Sequence, residues 1–244
     1  MSRSTILLAL ACTAVLTGCG GGSSSPTGPT PKSARISRTR FLAFGDSITA
    51  GEVTQPVAAN GGIGKLVLVP AASYPSVLQG KLAATYRDQA ALISVNNQGL
   101  SNEPILDGVT RFAQVFPSSG AEVVLLQDGV NNLNFVGPDT STGLMRIMVQ
   151  QAKSGGAKVY VGSMIPTVPG RPRATVSPAA LVTYNNVLQI MCTQEGVTYV
   201  DLYNAMLAEA EQLIGSDGLH PNEAGYRKIA DLFFAAIQRE LEER

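Results

Sequence analysis

The sequence is poor in histidine and cysteine and has no surplus of positive charge. Its 244 residues include one histidine and three cysteines, and 18 lysines and arginines balance 18 acidic residues. Without a basic excess or a block of lysine and arginine, nucleic acid is not expected as the main partner. One histidine cannot form a metal site of several imidazoles, and no cysteine cluster takes its place. We therefore expect an ordinary globular protein that needs no metal or other cofactor.

Residues 1–18 have the pattern of an export signal. Arg3 supplies positive charge, and residues 6–16 form an almost wholly apolar run that is too short to span a bilayer as a helix. The run ends in Leu-Thr-Gly-Cys, which resembles the bacterial lipobox and implies cleavage after Gly18 and attachment of lipid to Cys19. An ordinary secretory signal with a chance cysteine is the alternative. The pattern predicts an exported lipoprotein, anchored to a membrane of the bacterial cell envelope through Cys19.

The segment 19–38 is predicted to be the lipidated cysteine followed by a flexible tether. Residues 20–31 read GGGSSSPTGPTP and offer no apolar side chain to bury. A random coil of this length spans about 25 Å, which would hold the folded domain just off the membrane surface. Because no other stretch of the sequence could cross a bilayer, we expect the protein to be anchored to the membrane without spanning it.

Only one cysteine would remain in the mature domain. Cys12 would leave with the signal and Cys19 would carry lipid, so Cys192 would have no partner for an internal disulfide. Cys192 lies in an apolar helical pattern, which predicts a buried and inert thiol.

From residue 39 onward, short β-rich runs alternate with helical patterns. Strands are predicted at Arg40–Phe44, Leu92–Asn96, Glu122–Gln127, Lys158–Ser163 and Val197–Leu202. Helices are predicted at Tyr74–Arg87, Asp107–Phe116, Ser141–Ser154, Pro178–Glu195 and Asn222–Glu240. Five strands separated by helices indicate a parallel sheet covered on both faces. With no internal repeat and no second linker, residues 39–244 are predicted to form one α/β domain.

Polar motifs stand where the predicted strands end. Gly45-Asp46-Ser47 follows the first strand, Gln98-Gly99 the second and Gly129-Val130-Asn131 the third, and Asp217-Gly218-Leu219-His220 precedes the last helix. In open α/β sheets the ligand lies outside the carboxyl ends of the strands. The sequence therefore predicts a functional site that these motifs form together.

The chemistry of these motifs favours a serine nucleophile. A serine hydroxyl needs an adjacent base at neutral pH, and His220 is the one imidazole that the chain offers. A lone histidine is more often structural, but Asp217 stands three residues before it, where a carboxylate can orient the ring. Ser47 stands in a strand-turn-helix context. The chain has no G-x-S-x-G motif, so the sharp nucleophile elbow built on that motif is not expected.

Four segments resemble, in family order, the sequence blocks of the SGNH (GDSL-type) hydrolases. They are Phe44–Thr49, Asn97–Ser101, Gly129–Asn132 and Asp217–Asn222. Any one of them is a weak signal, but four in order cover nearly the whole domain. The resemblance implies a flavodoxin-like three-layer α/β/α fold with a five-stranded parallel sheet.

The same resemblance implies a role for each site residue. Ser47 would be the nucleophile, His220 the base and Asp217 the partner of His220. The oxyanion hole would consist of the backbone N–H groups of Ser47 and Gly99 and the side-chain amide of Asn131. A glycine at position 99 would let the backbone approach a tetrahedral oxyanion.

The chain departs from the family pattern at two positions. Asn132 stands where the third block usually has aspartate, and Asn102 stands where the second block often has glycine. Two further acids invite a functional interpretation but are expected to be structural. Asp46 should hold the turn around Ser47, and Asp201 should cap a loop.

Two loops are candidates for shaping the substrate site. The segment Glu52–Pro70 is long and rich in glycine and valine, and loops of this length are usually functional or disordered. The segment Thr167–Pro178 carries Arg171 and Arg173 among prolines. These arginines could meet an anionic substrate group, but a solvated loop is the more common outcome.

Together the motifs predict an esterase that cleaves small acyl or acetyl esters of glycan or lipid through an acyl-enzyme on Ser47. Two alternatives stay open. A non-catalytic envelope lipoprotein could keep the fold and bind glycan or lipid, although it would not need the pairing of His220 with Asp217. An acyl transferase would use the same residues on a sugar hydroxyl. The sequence does not indicate an oligomeric state.

Overall fold

The structure is a computed structural model that describes residues 33–54 and 65–243. The predicted signal, Cys19 and most of the predicted tether lie outside the described residues. Within these ranges the chain forms strands β1 (Arg35–Ile36), β2 (Arg40–Gly45), β3 (Glu52–Thr54), β4 (Leu66–Leu68), β5 (Ser94–Gly99), β6 (Val123–Gln127), β7 (Lys158–Gly162), β8 (Thr198–Val200) and β9 (Glu242–Glu243). The helices are α1 (Ser47–Ala50), α2 (Tyr74–Thr85), α3 (Ile105–Ser119), α4 (Leu133–Ser154), α5 (Pro178–Glu195), α6 (Leu202–Leu207), α7 (Ala210–Leu213) and α8 (Glu223–Leu241).

A five-stranded parallel sheet in the order β5-β2-β6-β7-β8 forms the centre of the domain. All five side chains of β6, the middle strand, are buried, as expected for a parallel strand covered on both faces. Helices α3, α4 and α5 pack against one another in sequence, and α2 packs against α8. The predicted three-layer α/β/α fold with five parallel strands is confirmed.

The register of the sheet aligns the ends of three strands. Gly45 lies opposite Gly99 on one side and opposite Gln127 on the other. Because parallel strands end at a common edge, the segments that follow β2, β5 and β6 begin next to one another. The motifs that the sequence placed after separate strands therefore meet at one edge of the sheet.

Several element boundaries differ from the predicted ones. Strand β5 begins at Ser94 because Leu92 lies in a turn, donates its N–H to Gln89 and is 64% exposed. Helix α4 begins at Leu133, eight residues earlier than predicted, and is bent at Gly137, which has a φ of 78°. The Gly-Pro pair at this bend hides the first turns of α4 from a search for helical periodicity.

Two segments that the sequence predicts to be tether or loop contain strands. Strand β1 pairs with β9, Ile36 is buried, and the Arg38 guanidinium donates to the carbonyl oxygen of Glu122 over 2.7 Å. Residues 35–38 therefore belong to the folded unit, which begins before residue 39. Strands β3 and β4 pair as an antiparallel hairpin at the two ends of the predicted loop 52–70, of which residues 55–64 are outside the described chain.

The core is continuous around the sheet and includes Cys192. Its side chain is buried in α5, as predicted, and burial raises the pKa of the thiol to about 12. None of the helices formed by residues 33–54 and 65–243 combines the length and the apolar character needed to cross a bilayer.

Candidate active site

The four-residue helix α1 presents Ser47 at the carboxyl end of β2. Asp46 caps this helix, since its Oδ1 accepts a hydrogen bond of 3.0 Å from the Ile48 N–H. Gly45 lies so close to β6 that a Cβ there would be 1.9 Å from the Gln127 carbonyl oxygen. The turn is therefore fixed on both sides of Ser47, and the structural role predicted for Asp46 is confirmed.

Ser47, His220 and Asp217 form a chain of hydrogen bonds between buried side chains. The Ser47 Oγ lies 2.8 Å from His220 Nε2, and His220 Nδ1 lies 2.6 Å from Asp217 Oδ2. Burial opposes ionisation of Asp217, but hydrogen bonds from the His220 ring and from the Leu219 N–H outweigh it and lower the pKa of Asp217. The ionised carboxylate accepts a hydrogen bond from Nδ1–H, which leaves the lone pair of Nε2 facing the Ser47 hydroxyl group. The structure thus brings together the three residues predicted to act as a unit.

The loop that carries Asp217 and His220 is held by its own backbone and by the start of α8. The Gly215 N–H donates to the carbonyl oxygen of His220 over 2.7 Å. Asn222 caps α8, because its side-chain oxygen accepts the Gly225 N–H over 3.0 Å. These bonds fix the backbone of the loop and thereby the position of the His220 side chain.

The two arginines of the 167–178 segment contact the loop that carries His220. Arg171 donates to the carbonyl oxygens of Ile214 and Gly215 and pairs with Glu211. Arg173 donates its backbone N–H to the Asp217 carbonyl oxygen, and its Nε lies 3.8 Å from Asp217 Oδ2. Both arginines therefore stabilise the loop that carries Asp217 and His220.

Asn131 is held with one of its amide hydrogens engaged. It lies in a 3-10 turn directly after β6, and its Nδ2 donates to the carbonyl oxygen of Glu103 over 2.9 Å. A primary amide has two N–H groups, so the second remains for an incoming oxyanion. Asn132 is placed differently, since its Oδ1 accepts the Ile105 N–H over 3.4 Å.

Gly99 lies at the end of β5 with its backbone N–H engaged. Its backbone N–H donates to the Asn97 side-chain oxygen over 2.9 Å, so this donor is already engaged. A Cβ at position 99 would lie 2.0 Å from the backbone nitrogen of Ala50. The close packing of β5 against α1 leaves no room for a side chain at this position.

The next turn of the same loop contains a donor that the sequence analysis missed. Asn102 has a φ of 61°, a left-handed conformation that asparagine tolerates better than most residues. Its backbone N–H donates no hydrogen bond to any residue in the described ranges. The signal was available in the sequence, because Asn102 stands where the second block often has glycine.

A bidentate ion pair ties the loops of the site together. Arg111 donates from Nε and Nη2 to the two carboxylate oxygens of Glu103 over 2.7 and 2.6 Å. The same guanidinium donates to the carbonyl oxygens of Gln98 and Gly45 over 3.0 and 3.3 Å. It therefore connects the ends of β5 and β2 with Glu103, whose carbonyl oxygen holds the Asn131 amide.

Two buried carboxyl groups lie beneath the site. Burial raises the pKa of Asp46 to about 6, although hydrogen bonding from Ile48 and the charge of His220 oppose the shift. Burial and the neighbouring Asp46 and Glu103 raise the pKa of Asp128 well above its ordinary value. Neither Asp128 oxygen has a hydrogen-bond partner among the described residues. Burial therefore favours the neutral form of the Asp128 carboxyl group in the folded protein.

The structure adds one further carboxylate to the site. The Glu52 Oε2 lies 3.4 Å from His220 Nε2, the ring nitrogen that also faces Ser47.

In the part of the chain that the structure describes, no three His, Cys, Asp or Glu side chains are grouped so that they could hold a metal ion.

Comparison with known proteins identifies one family. A family model described as "GDSL-like Lipase/Acylhydrolase family" matches residues 43–228. A curated relative, the GDSL lipase Rv0518 of Mycobacterium tuberculosis, is 32% identical over 80 residues, which is 32% of this chain and 34% of that protein. The matched region thus spans about a third of the relative's length.

Solved structures show the same fold at low identity. A lipase/acylhydrolase from Enterococcus faecalis superposes with a TM-score of 0.65 at 20% identity, over 84% of this chain and 98% of that one. A catalytic mutant of Axe2, an acetylxylan esterase from Geobacillus stearothermophilus, gives a TM-score of 0.64 at 20% identity, over 83% of this chain and 94% of that one.

Proposed function

The chain belongs to the GDSL-like lipase/acylhydrolase family, and we propose that it hydrolyses carboxylic esters with Ser47 as the nucleophile. The observation that carries the proposal is the 2.8 Å contact between Ser47 Oγ and His220 Nε2, continued to Asp217 over 2.6 Å. A hydroxyl within hydrogen-bond reach of an imidazole that a carboxylate orients is the arrangement that activates serine.

Acyl transfer in this geometry proceeds in two halves. The Ser47 oxygen attacks the ester carbonyl carbon while its proton passes to His220 Nε2. The C–O bond then breaks, and the imidazolium returns that proton to the departing alkoxide, which leaves as the alcohol. Water attacks the acyl-Ser47 ester in the same way, losing a proton to Nε2. Collapse releases the carboxylic acid and returns the proton to Ser47.

The oxyanion formed in each half needs donors around Ser47. The Ser47 N–H stands at the first position of α1, where a backbone N–H has no acceptor within its own helix. The second amide hydrogen of Asn131 is the side-chain donor that we propose. A third donor comes from the loop after β5, and the unengaged N–H of Asn102 suits this role better than that of Gly99.

The proposed substrates are small esters, acetyl esters among them. The side chains of Ser47, His220 and Asp217 are buried, and one of the similar folds is an acetylxylan esterase. Both observations support a short acyl group without identifying the alcohol.

Labelling of Ser47 tests the proposed function. An organophosphonate, which imitates the tetrahedral intermediate, should bind covalently to the wild-type protein and not to Ser47→Ala. Hydrolysis of p-nitrophenyl acetate should disappear in Ser47→Ala and in His220→Ala, because proton removal then has no route. Ser216→Ala, an exposed serine in the same loop as His220, is the control that should keep both properties. Wild-type turnover by His220→Ala would overturn the proposal.

We further propose that the protein works in the cell envelope as a lipoprotein. The Leu-Thr-Gly-Cys sequence after a short apolar run supports lipid attachment at Cys19. Cys19→Ser should move the protein from the membrane fraction to the soluble fraction and abolish labelling by a fatty acid. Retention of the variant in the membrane fraction with its signal removed would contradict the proposal.

A further inference from the structure

Glu52 is held firmly at the edge of the site. It is the first residue of β3, directly after α1, and lies opposite Leu68 in the β3–β4 hairpin. The buried Tyr226 of α8 donates its hydroxyl to the Glu52 carbonyl oxygen over 2.6 Å. The backbone of Glu52 is therefore anchored to both the hairpin and α8. This anchoring restricts where the Glu52 side chain can lie.

The Glu52 carboxylate faces the reacting nitrogen of the imidazole. Its Oε2 lies 3.4 Å from His220 Nε2, and its side chain is 14% exposed. Among the described residues, His220 is the one basic side chain within ion-pair distance of Glu52. Arg173 pairs with Asp217, its Nε lying 3.8 Å from Oδ2, and forms no ion pair with Glu52 in the described part of the chain.

The alcohol side of an ester must pass next to Glu52. In the proposed mechanism Nε2 hands its proton to the departing alkoxide, so the atoms nearest Nε2 at that moment belong to the alcohol. An ionised carboxylate accepts hydrogen bonds and donates none. A hydroxyl or a cation on the alcohol is attracted to it, whereas a carboxylate or phosphate there is repelled, and low exposure weakens the screening by water.

We infer that Glu52 selects esters by the charge of their alcohol portion, favouring neutral polyhydroxylated or cationic alcohols and disfavouring anionic ones. The inference rests on the proposed function and narrows it. An acetylated neutral sugar fits this site. A lysophospholipid whose alcohol portion has a net negative charge does not.

A set of acetate esters that differ in the charge of the alcohol tests the inference. The set comprises acetylcholine, its uncharged isostere dimethylbutyl acetate, and the acetate ester of hydroxypropanoate, all assayed by release of acetate at low ionic strength. The wild-type protein should favour the cationic over the anionic ester by at least about tenfold in kcat/KM, the ratio expected when one charge is repelled at a few ångströms through partly screened surroundings.

Two variants of Glu52 and one control separate its charge from its packing. Glu52→Gln should reduce the cation-to-anion ratio by about tenfold, and Glu52→Asp, which keeps the charge, should still favour the cationic ester. Glu209→Gln, an exposed carboxylate paired with Lys228, should keep the wild-type ratio. Thermal unfolding of each variant shows whether it is folded.

The outcomes distinguish this inference from the proposed function. If the esters are hydrolysed but Glu52→Gln keeps the wild-type ratio, the selection by Glu52 is wrong and the esterase assignment stands. If none of the esters is hydrolysed and the phosphonate fails to label Ser47, both are wrong.

Discussion

Asn131 offers the sharpest test of oxyanion stabilisation, because its amide is fixed by the Glu103 carbonyl oxygen. Asn131→Ala should lower kcat for p-nitrophenyl acetate by about 10²–10³ with little change in KM, the usual cost of losing one such donor. Asn132→Ala is the matched control and should retain most of kcat, since Asn132 contacts the Ile105 N–H instead. If the two variants lost activity equally, Asn131 would not be the side-chain donor.

The individual residues of the site divide into those that sequence can identify and those that it cannot. Ser47, His220 and Asp217 were predictable because the chain offers one imidazole and the acid stands three residues before it. Glu52 was not, because its carboxylate meets His220 through the β3–β4 hairpin, which only the folded chain reveals. The hydrogen bond from the Gly99 N–H to Asn97 was not predictable either, because it depends on the conformation of the Asn97 side chain.

Helices and strands were predictable where capping residues and periodicity agree. Helix α5 has the predicted bounds, because Ser177 caps its start and Gly196, with a φ of 65°, ends it. Strand β8 ends at Val200, two residues before its predicted end, because Asp201 caps α6 by accepting the Asn204 N–H. A capping role for Asp201 was predicted. The short pairing of β1 with β9 joins the two ends of the described chain, a contact that no local pattern indicates.

The ion pair between Arg111 and Glu103 couples the loops after β2 and β5 to Asn131, so its loss should affect stability and turnover together. Glu103→Gln leaves the mostly buried guanidinium without its bidentate partner and should lower the free energy of unfolding by about 3 kcal/mol. Turnover should also fall, with kcat reduced more than KM is raised, because Asn131 loses its fixed support.

The control for this pair lies on the surface. Glu195 pairs with Arg146, whose side chain is 38% exposed, and Arg146→Gln should change the free energy of unfolding by less than about 1 kcal/mol and leave kcat unchanged. Urea unfolding and steady-state kinetics measure both quantities. A Glu103→Gln protein with normal kcat would show that the pair stabilises the fold without positioning Asn131.

The position of the site could be predicted from the order of elements alone. Alternating strands and helices imply parallel strands, and parallel strands place their carboxyl ends at one edge, so four separate motifs had to converge. The register then brings Gly45, Gly99 and Gln127 side by side. The same convergence places two acids close together, because Asp46 and Asp128 follow neighbouring strands. The local sequence around each acid does not indicate this proximity.

This proximity should make the stability of the folded protein depend on pH in an unusual direction. The pKa of Asp46 is raised to about 6, and that of Asp128 is raised well above its ordinary value, whereas both are near 3.9 in an unfolded chain. Between pH 4 and the folded-state values, the native protein therefore binds more protons than the unfolded one. The free energy of unfolding should fall as pH rises from about 4 through the folded-state pKa values, by about 1 kcal/mol per pH unit for each group that is protonated only when folded.

Asp128→Asn isolates this effect, because asparagine has the shape of the neutral acid and does not titrate. The variant should be more stable than the wild type at pH 8, and its free energy of unfolding should depend less on pH between 5 and 8. Asp139→Asn, at an exposed carboxylate, should follow the wild-type pH dependence. The groups with lowered pKa, Asp217 and Glu122 among them, act in the opposite sense and only in more acidic solution, so they do not mask the slope. Urea unfolding at several pH values measures it, and parallel curves for wild type and Asp128→Asn would mean that Asp128 is ionised in the folded protein.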